Sequence, residues 1–256
     1  MRYVVLWYLI LATEGYSDSQ HRRMTRPPMK ALIASLLATL ILAGCLSDTE
    51  TNPIEVSAST AKSPAPTAVN VILETDLGNM VLRVDTDNAP VTSAYFLRII
   101  DQGLYNGATF YRSASLDGEP GPQIIQGGIL QDALTQTGPI SAKDFKIPTL
   151  SSVERTSRTG LTHEAGTVSF ARDLLDTGVV IPEIFICIRA CTWADEGARS
   201  VPDTHGFPAF GKVLEGMDTV QAIANQETQG ATSISFLQGQ IHTGPIVIHK
   251  AYRAPN

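Results

Sequence analysis

Residues 108–128, "ATFYRSASLDGEPGPQIIQGG", read as a strand, a loop and a second strand. Thr109, Phe110 and Tyr111 are residues that a pleated sheet favours. Gly118, Pro120, Gly121 and Pro122 then break the pattern, and Gln123-Ile124-Ile125-Gln126 resumes it before Gly127 and Gly128. Arg112 closes the first strand and Gln126 the second. Pairing of the two strands brings these long polar side chains together.

Outward from this unit, the same alternation recurs. Two β-rich runs flank Asp76-Leu77-Gly78-Asn79 as a hairpin. Further strands are expected at 109–112, 123–126, 167–171, 183–189, 209–213 and 245–251. Pro90 opens a helical pattern that Gly103 ends, and 216–226 forms a second helix with Val220, Ile223 and Ala224 inward. Many short strands and two helices predict a mainly β barrel or sandwich with helical plugs.

Composition limits the function. The chain of 256 residues has 43% hydrophobic and 17% charged residues, so it can form a core. Its net charge of −6 gives no basic face for nucleic acid. Neither "GNMV" nor "QGGI" has the glycine pattern of a phosphate loop. Three cysteines are too few for a disulfide scaffold. The spacing of Cys187 and Cys191 does not match a redox or zinc motif, so Cys187 is expected to be a buried, inert thiol, with a disulfide as the alternative. His163, His205, His242 and His249 are scattered and suggest no metal site; His163 is read as a buried structural donor. Asp173 and Asp176 near Arg172 form no recognisable acid–base pair. No cofactor is expected.

The N-terminal region differs. Lys30, an apolar run over residues 31–43 and Gly44-Cys45 have the layout of an export signal. The run is shorter than the ~20 residues that span a bilayer. Leu42-Ala43-Gly44-Cys45 resembles a bacterial lipobox, in which Cys45 is lipidated and becomes the N-terminus; a simple signal peptide is the alternative. Met24 and Met29 are alternative starts, with residues 1–28 read as an artefact of start-codon choice; N-terminal sequencing checks this. Without residues 1–44 the net charge is −9, so membrane association would rest on lipid rather than on a basic patch. Residues 45–68, rich in Ser, Thr, Ala and Pro, form a linker ahead of a domain over 69–256.

Five segments, in order, resemble cyclophilin-type peptidyl-prolyl isomerases: "LETDLGNMVLRVDTDNAPVTSAYFLRI", "FYR…QIIQGG", "GTVSFAR", "EIFICI" and "FGKVLEGMDTV". "TGLTHEAGTVSFAR" resembles a divergent bacterial branch. The resemblance implies a closed eight-stranded antiparallel barrel capped by two helices, and rotation about X–Pro bonds. That rotation has a barrier of ~18–20 kcal/mol and requires no nucleophile or metal. A fixed cationic donor near the prolyl nitrogen and a dry pocket for the ring favour the twisted amide.

The resemblance makes Arg112 the catalytic arginine and Gln126 its support and a contact to the substrate carbonyl. It places Phe110, Ile124, Phe185, Trp193 and Phe207 at the substrate pocket, with Phe185 as its floor. Ala171 and Arg172 would dock the substrate as an added strand. Ile124 stands where the family usually has methionine, Gln123 where it has phenylalanine, and Phe207 where it has histidine. Gln123 is expected to make its wall of the pocket more polar. The loop between Arg112 and Gln126 is longer than in common members and is expected to tune access.

The combined expectation is a monomeric, lipid-anchored isomerase of the cell envelope, facing the periplasm or cell exterior and acting on proline-containing exported polypeptides. The alternative is a non-catalytic module that binds proline-containing segments or acts as a chaperone.

Overall fold

The computed structural model describes residues 69–131, 149–172, 178–200 and 203–255. The signal region, Cys45, the linker up to residue 68, Asp173 and Asp176 lie outside the described residues. The eight strands are β1 (Val69–Thr75), β2 (Gly78–Val84), β3 (Thr109–Ala114), β4 (Ile124–Gly128), β5 (Thr167–Arg172), β6 (Val180–Cys187), β7 (Ala209–Glu215) and β8 (Ile241–Arg253). They close into a barrel in the order β1-β2-β7-β5-β6-β4-β3-β8, and every pair is antiparallel. Closure leaves no free sheet edge.

Alternation sets the inward face. In β1 and β2, Val71, Leu73, Met80, Leu82 and Val84 are buried and the residues between them are more exposed. Among the described residues, the complete α-helices are α1 (Pro90–Asp101), a single turn α2 (Thr156–Thr159) and α3 (Met217–Ala224). α1 brings Phe96, Leu97, Ile99 and Ile100 to the barrel core, and α3 brings Val220, Ile223 and Ala224. Full burial of such a side chain contributes about 1.5–3 kcal/mol.

Pro90 suits the first turn of α1, where its missing N–H costs nothing. The Glu154 carboxylate accepts the N–H groups of Val91 (3.2 Å) and Thr92 (2.6 Å) there. Gln102 caps the C-terminus, and Gly103, in the left-handed region, lies one residue beyond it.

Two strands begin earlier than expected. β6 starts at Val180, which pairs with Arg172, and β8 starts at Ile241, which pairs with Arg112. Thr243 and Gly244 look like a turn, but β8 passes through them, and the β3–β8 register shifts between Phe110 and Arg112.

Candidate active site

The β3–β4 register also shifts between Phe110 and Arg112, and this bulge sets which way each side chain points. Phe110 packs in the main barrel core, whereas Tyr111 joins a separate cluster with Ile234, Leu237 and Ile241. Arg112 is opposite Gln126, and its Nη1 donates to Gln126 Oε1 at 2.7 Å. Its Nε and Nη2 both donate to Gln240 Oε1, at 2.9 and 2.6 Å. Gln240 is held in turn by donation from its Nε2 to Phe236 O at 2.7 Å. Arg112 is 2% exposed, and its guanidinium keeps its charge there because arginine does not lose its proton in proteins.

The network extends beyond the expected pair. Gln126 Nε2 donates to Tyr111 Oη at 3.1 Å, and Tyr111 Oη donates to Glu183 Oε2 at 2.8 Å. The other carboxyl oxygen of Glu183 accepts the Leu130 N–H at 2.8 Å. Gly128 makes room for it, since a Cβ there would overlap Glu183 Oε1. Burial pushes the Glu183 carboxyl up to about 8, against the opposing pull of hydrogen bonds from Tyr111, Leu130 and Ile129. The Tyr111 hydroxyl is pushed up by burial and by the neighbouring Glu183.

On the far side of Gln126 lies an aromatic cluster. Gln126 pairs with Phe185 of β6, and Phe185 pairs with Ser169 of β5. Arg112, Gln126, Phe185 and Ser169 thus form one row across four neighbouring strands. The Phe185 ring stacks on His163 (centroids 5.7 Å, 9° apart) and on Trp193 (5.9 Å, 25°), and meets Phe207 edge-on at 5.6 Å. Ile124, Ala171 and Ala194 also belong to the cluster. Phe110 does not belong to it: the bulge at Tyr111 leaves the Phe110 ring on the core side, which corrects its expected place in the pocket.

The Arg172 side chain packs against this cluster. Its guanidinium carbon lies 4.4 Å from the centre of the Phe207 ring, and Nη2 binds both oxygens of Asp203 at 2.8 and 3.0 Å. Arg199 also pairs with Asp203, at 3.1 Å, and lies 5.5 Å from the same ring. Ile124, Ala171, Phe185 and Phe207 have no exposed surface, whereas Trp193 at the edge of the cluster is partly exposed.

Gln123 does not make the wall polar. Its Oε1 accepts Trp193 Nε1–H at 2.9 Å and its Nε2 donates to Ala190 O at 2.7 Å. Both ends of the amide are satisfied, and Gln123 fixes the indole. Gln123→Met is expected to cost about 0.5–1.5 kcal/mol for each of these two part-buried hydrogen bonds, read as a lower unfolding midpoint.

The loop 115–122 is tied down by Arg189, which binds Asp117 at 2.7 and 2.8 Å and donates to Pro122 O at 2.9 Å. This pairing brings the Asp117 carboxyl down to about 2. His163 is a structural residue, as expected: Nδ1 is 2.7 Å from Asp195 Oδ1 and Nε2 is 3.0 Å from Ser169 Oγ.

The reading of Cys187 as an unpaired thiol is corrected, because Cys187 and Cys191 form a disulfide. β6 ends at Cys187, and the bend after it returns the chain so that the two Cα atoms lie 6.1 Å apart, within disulfide range.

Residues 70–250 match the family model for cyclophilin type peptidyl-prolyl cis-trans isomerase/CLD. The chain belongs to the cyclophilin-type peptidyl-prolyl isomerases. It is an isomerase of the class that acts on proline-containing peptides. Peptidyl-prolyl cis-trans isomerase A of Dickeya dadantii is 29% identical over 201 residues, covering 77% of this chain and 93% of that protein. Peptidyl-prolyl cis-trans isomerase cyp18 of Streptomyces antibioticus is 28% identical over 181 residues, covering 71% and 96%. The crystal structure of a cyclophilin type isomerase of Cryptosporidium parvum superposes with a TM-score of 0.54 at 16% identity, covering 74% of this chain and 99% of that one. This likeness shows a shared barrel fold.

Gln240, Tyr111 and Glu183 were not legible as site residues. Gln240 precedes β8 in a stretch without a motif, and only the strand register brings it to Arg112. Tyr111 and Glu183 read as ordinary members of strands.

Proposed function

We propose that this cyclophilin isomerises X–Pro bonds of exported polypeptides in the cell envelope, with Arg112 as the catalytic arginine and Gln126 as its support. The row Arg112, Gln126, Phe185 carries this reading: it sets a fixed cationic donor beside an aromatic floor on adjacent strands. Rotation about the bond localises the lone pair on the prolyl nitrogen, and a guanidinium N–H aimed there favours that state over the planar amide. Phe185, Phe207, Ile124 and Trp193 would hold the proline ring in a dry site while the preceding carbonyl turns. β7 pairs with β5 only as far as Ser169, so a substrate strand would dock on that side of Ala171 and Arg172.

Phe207 in the aromatic cluster, where the family usually has histidine, favours a second reading, a module that holds proline-containing segments without turnover. A protease-coupled assay on an X–Pro peptide separates the two. Isomerisation above the uncatalysed rate supports the enzyme; binding without acceleration supports the module.

The envelope reading rests on the lipobox-like Leu42-Ala43-Gly44-Cys45, and the Cys187–Cys191 disulfide suits an oxidising compartment. Alkylation before reduction is expected to leave Cys187 and Cys191 unlabelled in mass spectra. Cys45→Ala is expected to abolish lipid labelling, and globomycin to block processing of the wild type. Unchanged processing with globomycin would remove the lipid anchor from the reading.

A further inference from the structure

The donors of the site network all point one way: Arg112 donates to Gln126, Gln126 to Tyr111, and Tyr111 to Glu183. We propose that Glu183, acting through Tyr111, is a positioning residue for catalysis, which fixes the Gln126 amide with its carbonyl oxygen toward Arg112 and so aims the guanidinium. This rests on the reading of Arg112 as the catalytic arginine.

The chemistry of each link gives the reason. An amide has an acceptor end and a donor end, and only one orientation of Gln126 suits a guanidinium, which has no acceptor. A flipped Gln126 would turn its NH₂ group toward Arg112. Tyr111 prevents this while its hydroxyl hydrogen is directed at Glu183, because its oxygen then faces Gln126 as an acceptor. Glu183 directs that hydrogen by ending the chain as a pure acceptor: Oε2 takes the Tyr111 hydroxyl and Oε1 the Leu130 N–H. Hydrogen bonds aligned in one direction in a buried site polarise and strengthen one another. In the Glu183→Gln variant the side chain would still accept the Leu130 N–H, but it would present NH₂ to Tyr111. Tyr111 would then receive donors from both sides, and its own hydrogen would need Gln126 as acceptor, which flips the amide.

The orientation therefore depends on Glu183 being ionised, and burial places that ionisation at about 8. The other titratable groups facing it are Tyr111 from β3, Tyr95 from α1 and Tyr105 after α1, all pushed above the ordinary phenol range. Arg112 stays charged, and His242 of β8 is held below the ordinary imidazole value by burial. Glu183 is thus the group of this set that titrates between neutral and mildly alkaline pH.

The test is the rate of isomerisation of an uncharged Ala-Pro peptide by the full-length protein, measured across this pH range by exchange spectroscopy. Wild-type kcat/KM is expected to rise about ten-fold through a midpoint near 8. Glu183→Gln and Tyr111→Phe are each expected to remain near the low-pH wild-type level throughout, a loss of about ten-fold at the alkaline end, mostly in kcat. Should Glu183→Gln fail to fold, Tyr111→Phe and the wild-type profile decide. A flat wild-type profile, or both variants within two-fold of the wild type at every pH, overturns the positioning role when Arg112→Ala is inactive. Full activity of Arg112→Ala would instead overturn the reading of the site itself.

Discussion

Glu183→Gln is expected to be more stable than the wild type at alkaline pH, by an amount on the order of a few kcal/mol. The Glu183 carboxyl titrates at about 8 in the folded barrel against an ordinary value of 4.5, because burial disfavours its charged form. The folded state therefore holds this proton to higher pH than the unfolded chain does. The stability from this shift is fully present below 4.5 and is lost as pH rises through about 8. A glutamine side chain does not titrate, so this slope should disappear in the variant. Urea midpoints at several pH values measure it, and parallel curves for the two proteins would contradict the origin of the shift. Combined with the proposed positioning role, the carboxylate would aim the arginine and destabilise the barrel at the same pH. Such a trade-off is expected where an active group is buried.

Arg112→Ala is expected to lower kcat/KM by about two to three orders of magnitude, the usual cost of removing a preorganised transition-state donor. The loss should fall on kcat, because the donor acts on the twisted amide and hardly on the planar one. Truncation also leaves Gln126 Oε1 and Gln240 Oε1 without the donor they share in the folded state. A drop in stability of about 1–3 kcal/mol is therefore expected alongside, and activity is to be compared below the unfolding midpoint of the variant. Retained activity in a folded Arg112→Ala protein would remove the assigned role.

The strands were legible because alternation is a backbone property: each expected strand is present, and the hairpin turns at Asp76–Leu77, while closure into a barrel rather than a sandwich came only from the family resemblance. Strand pairing was also enough to predict that Arg112 meets Gln126. The bulge at Tyr111 was not legible, and it decides that Phe110 faces the core while Arg112 faces the site. Gln123, which departs from the family's usual phenylalanine, has the opposite of its expected consequence, because Trp193 and Ala190 take both ends of its amide. Glu183 was hidden for a related reason. A charged residue within "IPEIFIC" shows its role only once the fold brings Tyr111 and the Leu130 amide to it. The Cys187–Cys191 pairing depended on where β6 ends, the least predictable part of an element.

Exchange spectroscopy on an Ala-Pro peptide with a catalytic amount of the intact protein separates an isomerase from a proline binder most directly. The cis and trans signals are expected to exchange far faster than the uncatalysed tens to hundreds of seconds, and this acceleration should be lost with Arg112→Ala. Peptide signals that shift on binding while exchange stays at the uncatalysed rate would contradict catalysis and leave a binding module.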